Sequence, residues 1–503
     1  MFLRWISKIT NQEKYPRSGP FMNQNTKIIA TLGPSSSNEA IIEKLIQAGM
    51  DVARLNFSHG TYEEHSRKIQ ILRHLSQKLK KPITVLQDLQ GPKLRVGNLP
   101  PDGIPLESGQ IVHLKRLENN QFTGANNSKE LIIPLDIPDV TRALMKGGRI
   151  LLDDGNLELM ILKVDQDEID AKVIIGGTLF SRKGVNLVGT SLNIPGFTEK
   201  DRADLLFGLS QGIDVIALSF VRSASDINTV RQSISLLSPE NSSIPIIAKL
   251  ELPEAILNLE QILDAADGVM VARGDLGVET SPSAVPVIQK EIIHAANLKA
   301  KLVITATQML DSMISNPRPT RAEASDVANA ILDGTDAVML SGETASGIYP
   351  VESVAMMKSI TQEAEAHFKE WGHLFTPELQ GHMDDPMALS FAARELAHDR
   401  EVACIAVFTQ TGRSAIYISK MRPEVPILAF TPVQKTYQRL GLYWGIIPYL
   451  VPFSASLEEM ISHVEQTMVS SSSLRPGQKV VIISGFPVNA IRPANLALLH
   501  TIG

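Results

Sequence analysis

Cysteine, long apolar runs and an excess of one charge are all scarce in this chain, and each scarcity excludes a class of protein. Cys404 is the single cysteine among 503 residues, so no disulfide can form within the chain, and a reducing, cytoplasmic compartment fits. No apolar run approaches the roughly 18 residues that a membrane-spanning helix needs. The formal net charge of −6 argues against a protein that coats nucleic acid or binds membrane surfaces.

The length of 503 residues is too great for one hydrophobic core, so about two to four domains are expected. The first 22 residues carry Arg4, Lys8, Lys14 and Arg17 against the acid Glu13. Their apolar run is short and is broken by Arg4, which argues against a secretory signal. We expect residues 1–22 to be a disordered N-terminal extension.

Eight short runs of apolar and β-branched residues recur along the chain, and most are continuous, as expected of strands buried on both faces. Helical patterns lie between them. Ser36 to Glu39 resembles a capping box that starts one helix, Gly49 stops that helix, and Thr320 to Glu323 repeats the pattern. Strand–helix alternation of this kind predicts an α/β fold, a (β/α)₈ TIM barrel. The runs are residues 27–32, 51–57, 82–89, 213–220, 244–251, 267–273, 301–307 and 336–341.

One interval between strands is far longer than the others, because the third strand ends near Leu89 and the fourth begins near Ile213. The insert contains short alternating strands and little helical pattern, which predicts a small β-barrel domain. It follows the carboxyl end of a barrel strand, so it should lie over the barrel mouth as a lid. We assign residues 93–193 to the lid, and 23–92 with 194–365 to the barrel.

The pattern changes again after Glu365. Helical stretches alternate with apolar runs, which predicts a separate α/β domain over residues 366–503 with a largely parallel sheet. The first helical stretch is 386–399, and the apolar runs are 403–410, 425–431, 446–451 and 479–485.

The barrel prediction makes the strand ends informative, since the carboxyl ends of barrel strands carry the reacting groups. Polar residues do follow these strands. Lys249 and Glu251 end the fifth run two residues apart, so their side chains leave the same face. The other runs end in Arg54, Asn56, Ser58 and His59; in Asp88; in Arg273, Gly274 and Asp275; in Thr307; and in Ser341 and Glu343.

Glu251 and Asp275 are hard oxygen ligands on neighbouring strands, and two carboxylates completed by substrate oxygens and water are a usual way to hold Mg²⁺. Lys249 needs a charge partner in a largely buried strand. Its ammonium could stabilise charge during phosphoryl transfer. Two simpler interpretations stay open: the acids balance nearby basic side chains, and Lys249 forms a plain salt bridge with Glu251.

With these residues in place, the sequence resembles the pyruvate kinase family. The matching stretches are long, ungapped and in the family's order, and the resemblance extends from residue 25 almost to the end of the chain. They include RLNFSHG (54–60), KGVNL (183–187), KLE (249–251), VMVARGDLGVE (269–279), TATQMLDSMI (305–314) and the whole of 316–347.

The resemblance implies transfer of the phosphoryl group of phosphoenolpyruvate to ADP, giving pyruvate and ATP in the last step of glycolysis. It implies that Glu251 and Asp275 bind a divalent cation, Mg²⁺ or Mn²⁺. Arg54 would contact the transferring group, Lys249 would stabilise the transition state, and Thr307 lies where the enolate is protonated. The chemistry agrees, because passing a phosphoryl group between polyanions needs cations and an enclosed site more than a covalent nucleophile.

The same resemblance assigns the remaining contacts. A homotetramer and closure of the lid are also expected from it, whereas no nucleic-acid or membrane partner is. The implied substrate-binding residues are Arg54, Lys249, Ala272, Gly274, Asp275 and Thr307, and the implied nucleotide-binding residues are Asn56, Phe57, Ser58, His59 and Arg95, with Lys183 from the lid.

One departure from the family pattern concerns a monovalent cation. Many members bind K⁺ through residues that match Asn56, Ser58, Asp88 and the carbonyl of Leu89. Members that need K⁺ typically have Thr-Lys-Gly-Pro-Glu where this chain has LQGPK, ending at Lys93. A tethered ammonium can supply the charge that K⁺ otherwise brings. We therefore expect Lys93 to lie beside Asp88 and K⁺ to be dispensable, with an ordinary surface lysine as the alternative.

A second departure lies beside the predicted metal ligand Glu251. Many members have Ile and Asn at the positions of Leu250 and Leu252. Both differences look like changes in packing, and no functional conclusion is drawn from them.

The third domain contains a loop that could bind a phosphorylated effector. Hydroxyl side chains, a glycine and an arginine lie between an apolar run and a helical stretch, and this arrangement can cradle a phosphate. In the family this loop is similar to the effector phosphate site, and plain helix capping is the alternative. The residues are Thr409, Gln410, Thr411, Gly412, Arg413 and Ser414.

Two other functions compete with phosphoryl transfer. A Mg²⁺-dependent barrel aldolase or lyase would explain Glu251, Asp275 and Arg54, but not the lid with Lys183 or the third domain. A barrel retained only as a metabolite sensor would predict a lost metal or lysine position, and all three of Lys249, Glu251 and Asp275 are present.

Overall fold

A computed structural model of the chain describes residues 24–115, 131–135, 144–165, 168–189, 195–373, 384–472 and 474–503. The prediction for residues 1–22 therefore lies outside the described residues. Among the described residues, no helix combines the length and the apolar content that crossing a membrane requires.

The strands of the described residues are, in chain order, β1 (Lys27–Thr31), β2 (Val52–Asn56), β3 (Thr84–Asp88), β4 (Ile104–Leu106), β5 (Ile111–Lys115), β6 (Leu131–Pro134), β7 (Arg149–Leu152), β8 (Leu157–Val164), β9 (Glu168–Ile175), β10 (Gly177–Leu179), β11 (Val185–Val188), β12 (Val215–Leu218), β13 (Ile246–Leu250), β14 (Gly268–Ala272), β15 (Leu302–Ala306), β16 (Ala337–Leu340), β17 (Ile405–Phe408), β18 (Ile427–Thr431), β19 (Ile446–Leu450), β20 (Lys479–Ser484) and β21 (Leu496–Thr501).

The α-helices of the same residues are α1 (Glu39–Ala48), α2 (Tyr62–Lys78), α3 (Glu199–Ser210), α4 (Ala224–Leu237), α5 (Pro253–Leu257), α6 (Leu259–Ala265), α7 (Arg273–Glu279), α8 (Val285–Leu298), α9 (Arg321–Leu332), α10 (Gly342–Ala345), α11 (Pro350–Ala366), α12 (Phe368–Trp371), α13 (Asp385–Asp399), α14 (Arg413–Lys420), α15 (Gln434–Leu440) and α16 (Leu457–Ser471). Short 3₁₀ turns cover Pro34–Ser36, Pro239–Asn241 and Asp311–Ile314.

The predicted barrel is confirmed. Parallel strands β1, β2, β3, β12, β13, β14, β15 and β16 follow one another around a closed barrel, and β16 pairs with β1. Its register brings predicted site residues to one rim, because Asn56 at the end of β2 pairs with Asp88 at the end of β3. Ala272 pairs with Ala306 in the same way, so the residues that follow β14 and β15 also meet at this rim. We call this rim of carboxyl ends the barrel mouth.

The described residues of the insert after β3 form β-strands and no α-helix, as predicted. Strands β11, β7, β8, β9, β5 and β6 form one sheet, and β4 pairs with β10. In β8, buried residues such as Leu157, Leu159 and Ile161 alternate with half-buried ones, so one face of the sheet packs into the apolar core of the lid.

The C-terminal α/β unit is also present, with strand order β19, β18, β17, β20 and β21. The edge strand β21 is antiparallel to β20, a feature that the sequence analysis did not predict. Lys27, at the start of β1, donates to the carbonyl of Ile446 in β19 at 2.9 Å. Lys420 of α14 is buried against Asp336, just before β16. The C-terminal unit therefore packs on the end of the barrel opposite the mouth.

The start of the first helix differs from the expectation. Asn38, not Ser36, caps α1, because its Oδ1 accepts from the N–H of Ile41 at 2.9 Å. The Ser36 hydroxyl instead accepts from the N–H of Gly33 and donates to the carbonyl of Thr344 at 2.7 Å. The other two signals are confirmed: Gly49 ends α1 with φ 134°, and Thr320 and Glu323 form a capping box on α9.

Candidate active site

A buried network of charges lies at the barrel mouth. Asp88 accepts from Arg54 Nε at 2.6 Å and from Lys249 Nζ at 3.2 Å. Lys249 Nζ also lies 3.0 Å from Glu251 Oε1 and donates to the Ser219 hydroxyl at 2.6 Å. The salt bridge between Lys249 and Glu251 is therefore real, but it is one contact within a larger network rather than an isolated pair.

The network fixes the charge states of its members. Burial alone would lower the pKa of Lys249, but the carboxylates of Asp88 and Glu251 outweigh it and raise that pKa above its ordinary value. Burial alone would raise the pKa of Asp88, but Lys249 and Arg54 hold it below its ordinary value. Lys249 is consequently a cation and Asp88 an anion at neutral pH.

Glu251 and Asp275 carry the negative charge that a divalent cation would need. Burial raises the pKa of Glu251, and the charge of Asp275 raises it further although Lys249 opposes both. One Glu251 oxygen accepts from the Phe220 N–H at 2.6 Å, while Asp275 Oδ1 accepts from Lys93 Nζ at 3.1 Å. The charge of Asp275 acts on Glu251, and each carboxylate already pairs with an ammonium, that of Lys249 or of Lys93. Two hard carboxylates placed in this way fit a site for Mg²⁺ or Mn²⁺.

The turn after β14 and the end of β15 form one hydrogen-bonded unit. Thr307 Oγ1 accepts from the Gly274 N–H at 2.8 Å and donates to the carbonyl of Ala306 at 2.6 Å. Thr307 has φ 66°, a left-handed conformation that β-branched residues rarely adopt. The Arg273 guanidinium donates a hydrogen bond to the Thr307 carbonyl at 2.8 Å and pairs with the Asp326 carboxylate at 2.6 Å. The Thr307 hydroxyl is thus held at the rim beside Gly274 and Asp275.

The predicted nucleotide residues divide between the barrel and the lid. On the barrel, Asn56 Oδ1 accepts from the Ser58 N–H at 3.1 Å, and the Phe57 ring stacks on His65 with centroids 4.2 Å apart. Desolvation, followed by the positive charges of Arg95, Arg54 and Lys93, lowers the pKa of His59, so its ring is neutral at pH 7.

On the lid, the backbone of Arg95 bridges to that of Gly184, beside Lys183. The guanidinium of Arg95 donates to the carbonyl of Arg182 at 3.0 Å, and Lys183 Nζ lies 2.6 Å from Asp153. Arg95 and Lys183 therefore lie on neighbouring segments of the lid, and the side chain of each bonds to another residue of the lid.

The prediction that Lys93 lies beside Asp88 is wrong. Its ammonium lies 3.1 Å from Asp275 Oδ1 and 3.8 Å from Asp154 Oδ1, and not beside Asp88. The physical reason is competition, because Asp88 is already neutralised by Arg54 and Lys249 whereas Asp275 is not. The carbonyl of Leu89, another predicted cation ligand, accepts from the Ser219 hydroxyl at 2.7 Å.

The predicted effector loop leads into α14. Gly412 has φ 89° and precedes the helix, and its N–H donates to Thr409 Oγ1 at 3.0 Å. The Gln410 amide donates to the carbonyl of Val488 at 3.2 Å. Thr411 Oγ1 lies 3.5 Å from the N–H of Arg413, whose guanidinium bonds the Tyr417 hydroxyl. Ser414 is buried in the first turn.

The sequence analysis missed two residues of the mouth, Ser219 and Phe220. Ser219 bonds both Lys249 and the Leu89 carbonyl, and Phe220, with φ 54°, presents its N–H to Glu251. A signal was available, because both residues end the fourth apolar run, where a barrel strand should carry polar contacts.

A closed barrel with a cationic and carboxylate-lined mouth, partly covered by a lid, defines an enzyme that acts on a polyanionic substrate. Comparison with known families makes this specific. Residues 23–354 match the pyruvate kinase barrel domain, and residues 387–500 match the pyruvate kinase alpha/beta domain. The chain belongs to the pyruvate kinase family, and it is a phosphotransferase.

Curated relatives agree over almost the whole chain. A pyruvate kinase of Geobacillus stearothermophilus is 44% identical over 96% of this chain and 81% of its own length. A pyruvate kinase of Agrobacterium vitis is 43% identical over 92% of this chain and 96% of its own length. Pyruvate kinase 2 of Synechocystis is 43% identical over 92% of this chain and 76% of its own length. These matches exclude an aldolase or a lyase, and the presence of Lys249, Glu251 and Asp275 argues against a barrel retained only as a sensor.

Proposed function

We propose that the buried network at the barrel mouth carries out the reaction of the family, in which the phosphoryl group of phosphoenolpyruvate passes to ADP to give pyruvate and ATP. The P–O bond to the enol oxygen breaks, a P–O bond to the terminal oxygen of ADP forms, and the enolate takes a proton at its methylene carbon. The observation that carries this proposal is Lys249, a buried cation held at the mouth between Asp88 and Glu251.

We assign roles in this reaction to the residues around Lys249. Arg54 and Lys249 would bind the transferring phosphoryl group and stabilise its charge in the transition state. The backbone from Ala272 to Asp275 would receive the carboxylate end of phosphoenolpyruvate. Thr307, hydrogen-bonded to the Gly274 N–H, would position the water that protonates the enolate. The fixed positions of these groups support the assignment, because little reorganisation is needed during transfer.

Glu251 and Asp275 would hold the divalent cation, Mg²⁺ or Mn²⁺. When bound, that cation would neutralise charge on the phosphoryl and enolate oxygens. The oxygen donors support this assignment, as does the pKa of Glu251, which burial raises and the charge of Asp275 raises further, so a bound cation would be favoured beside it. Asn56, Phe57, Ser58 and His59 would meet ADP from the barrel, and Arg95 and Lys183 would meet it from the lid.

A coupled assay tests the proposal, with pyruvate release measured from phosphoenolpyruvate, ADP and Mg²⁺. We expect Lys249→Met to lower kcat/KM at least about a hundredfold, or 2.7 kcal/mol, because it removes the cation and keeps the side-chain length. Lys290→Met is the matched control, since Lys290 on α8 pairs with Asp333 away from the mouth. Equal activity of the Lys249→Met variant and the wild type would exclude the assigned role.

We also propose that K⁺ is dispensable. The positive charge of Lys93 within the site supports this, although the ammonium lies on Asp275 rather than on Asp88. The test compares kcat/KM with K⁺ and with tetramethylammonium at fixed ionic strength. A loss of about a hundredfold without K⁺, or 2.7 kcal/mol, would overturn the proposal.

We further propose that a phosphorylated metabolite activates the enzyme at the loop from Thr409 to Ser414. The hydroxyl side chains and the glycine that precede α14 support this role. Thr411→Glu would place a carboxylate where the phosphate should bind, so it should abolish activation by the responsive metabolite in a panel of sugar phosphates and nucleotides. An unchanged response would leave the loop as a helix cap only.

We finally propose that the protein forms a homotetramer and lies in the cytoplasm. The assembly is supported by the family and by β21, which lies at an edge of its sheet and could pair with a second copy. Light scattering measures the mass, and a monomeric mass at assay concentrations would exclude the tetramer. The cytoplasmic location is supported by the glycolytic role of the family.

A further inference from the structure

The two residues that follow β15 share a backbone conformation that side chains disfavour. Thr307 has φ 66° and Gln308 has φ 53°, and both values lie in the left-handed region that favours glycine. Thr307 is also β-branched, which makes this conformation still less favourable. We call these two residues the 307–308 turn. Two strained residues in succession persist only where surrounding contacts hold them in place.

The guanidinium of one buried arginine makes such contacts. Arg273 begins α7 and is 8% exposed. Its Nε and Nη2 donate to the carbonyl of Thr307 at 3.2 and 2.8 Å, and Nη2 also donates to the carbonyl of Gln308 at 3.1 Å. Three of the five N–H donors of this side chain therefore go to the two carbonyls of the 307–308 turn.

Two helices fix the other side of the same guanidinium. Nη1 of Arg273 donates to Gln289 Oε1 of α8 at 3.4 Å and lies 2.6 Å from Asp326 Oδ2 of α9. These contacts use the remaining two donors. Because the guanidinium is planar and rigid, it cannot rotate away from the turn without losing Gln289 and Asp326 as well. Arg273 therefore ties the 307–308 turn to α8 and α9.

The turn in its left-handed conformation fixes a hydroxyl group that the assigned reaction uses. Thr307 Oγ1 accepts from the Gly274 N–H at 2.8 Å and donates to the carbonyl of Ala306 at 2.6 Å. Both contacts depend on the φ angle of Thr307, because that angle sets where its side chain lies relative to the preceding carbonyl. Arg273 thus acts on the hydroxyl through the backbone.

We propose that Arg273 is a positioning residue for protonation of the enolate, because it holds Thr307 in the left-handed conformation. This inference rests on the proposed function, in which the Thr307 hydroxyl positions the water that gives a proton to the methylene carbon. In the reverse direction a methyl C–H bond of pyruvate breaks, its proton passes to that water, and its electron pair forms the enolate. Loss of Arg273 should slow this step in both directions.

Exchange of the methyl protons of pyruvate measures the step directly. The full chain is incubated in D₂O with pyruvate, ATP and Mg²⁺, and the methyl signal is followed by proton NMR. We expect Arg273→Met to lower the exchange rate at least about tenfold, because part of a contribution of about 10²–10⁴ from proton transfer is lost. In the coupled assay kcat should fall with it, while the KM for phosphoenolpyruvate should change less than about threefold.

Two combined variants separate positioning from a loss of stability. Glycine adopts the left-handed conformation without strain, so adding Gln308→Gly to Arg273→Met should restore exchange by about two- to fivefold. In Thr307→Val the hydroxyl is already absent, so adding Arg273→Met should lower exchange by less than about twofold more. A purely structural role of Arg273 predicts neither result.

Two single variants complete the set, and thermal unfolding shows whether each variant folds. Arg231→Met is the matched control and should leave exchange unchanged, since Arg231 of α4 bonds the carbonyl of Ala265 and the carboxylate of Asp267 at the amino end of β14. Arg273→Lys keeps the charge beside Asp326 but cannot hold both carbonyls, so it should lower exchange at least about threefold. It takes the place of Arg273→Met if that variant does not fold.

Two results would overturn the inference while the wild type turns over phosphoenolpyruvate. The first is methyl exchange that Arg273→Met and Arg273→Lys leave unchanged. The second is an equal loss from Arg273→Met in the wild type and in Thr307→Val, which would show that Arg273 does not act through that hydroxyl. A wild type that neither exchanges methyl protons nor makes ATP would instead refute the proposed function on which the inference rests.

Discussion

Replacement of Lys93 by Met should make the substrate-free enzyme bind Mn²⁺ more tightly. The Lys93 ammonium lies 3.1 Å from Asp275 Oδ1, an oxygen of the carboxylate that we assign to the divalent cation. The ammonium and the metal would therefore compete for the same carboxylate. Met has nearly the length of Lys and no charge, so the substitution removes the competitor with little change in shape.

The size of the effect follows from the burial of the ion pair. The side chains of Lys93 and Asp275 are 20% and 22% exposed, so the pair lies between a surface pair and a buried one. Two unit charges 3.1 Å apart attract by about 5 kcal/mol at an effective dielectric constant of 20, and desolvation cancels most of that. A net cost of about 1–2 kcal/mol for displacing Lys93 predicts roughly 5–30-fold tighter Mn²⁺ binding in Lys93→Met.

The assay is a titration with Mn²⁺, in which the free ion is measured by electron paramagnetic resonance without substrates. His113, Glu168 and Asp170 of the lid bring ligand atoms within 4.8 Å of one another and could also take the ion, so every protein carries His113→Ala. Lys183→Met is the matched control, because Lys183 pairs with Asp153 of the lid and not with Asp275. Its affinity should equal that of the parent.

Unchanged or weaker Mn²⁺ binding in Lys93→Met would refute the competition. Asp275→Asn separates this failure from a failure of the metal assignment. If Asp275→Asn binds Mn²⁺ as well as the parent does, the carboxylate is not a ligand, and the assignment itself is wrong.

Three further substitutions test other parts of the account. Thr307→Val removes the acceptor of the Gly274 N–H and should lower kcat about a hundredfold with a smaller change in the KM for phosphoenolpyruvate, measured in the coupled assay. Lys249 and Arg54 hold the pKa of Asp88 below its ordinary value, so in acid the unfolded chain binds more protons than the folded one. The free energy of unfolding of the wild type, measured in urea, should therefore fall relative to that of Asp88→Asn as pH drops below about 4. Leu72→Ala, in the buried face of α2, should lower the free energy of unfolding by about 3 kcal/mol and leave both KM values unchanged.

The barrel could be predicted from the sequence because its signal is local. Parallel strands buried on both faces read as continuous apolar runs, and every barrel strand lies within one of the eight runs. Most residues of the mouth could be predicted for the same reason, since each lies at the carboxyl end of a strand or directly after it. Lys249 and Glu251 lie on one face of their strand end, as their spacing requires, and form the expected contact.

The partner of Lys93 could not be predicted in this way. Its choice depends on which acids are already neutralised, and that is set by contacts far apart in the sequence, such as Asp88 with Lys249. The cavity that Asn186 of the lid and Glu279 of the barrel line is also a product of tertiary packing, because the lid and the barrel each supply only part of its wall. The sequence analysis also missed the antiparallel edge strand β21, whose residues alternate between half-buried and exposed rather than forming a run buried on both faces.

Phosphorus-31 NMR of a reaction mixture tests the central claim most directly. The mixture contains the wild-type enzyme, phosphoenolpyruvate, ADP and Mg²⁺, with tetramethylammonium as the only monovalent cation. The account predicts that the signal of phosphoenolpyruvate declines while the three signals of ATP grow at the same rate, and that Lys249→Met slows both. Release of inorganic phosphate in place of ATP, or no turnover until K⁺ is added, would contradict it.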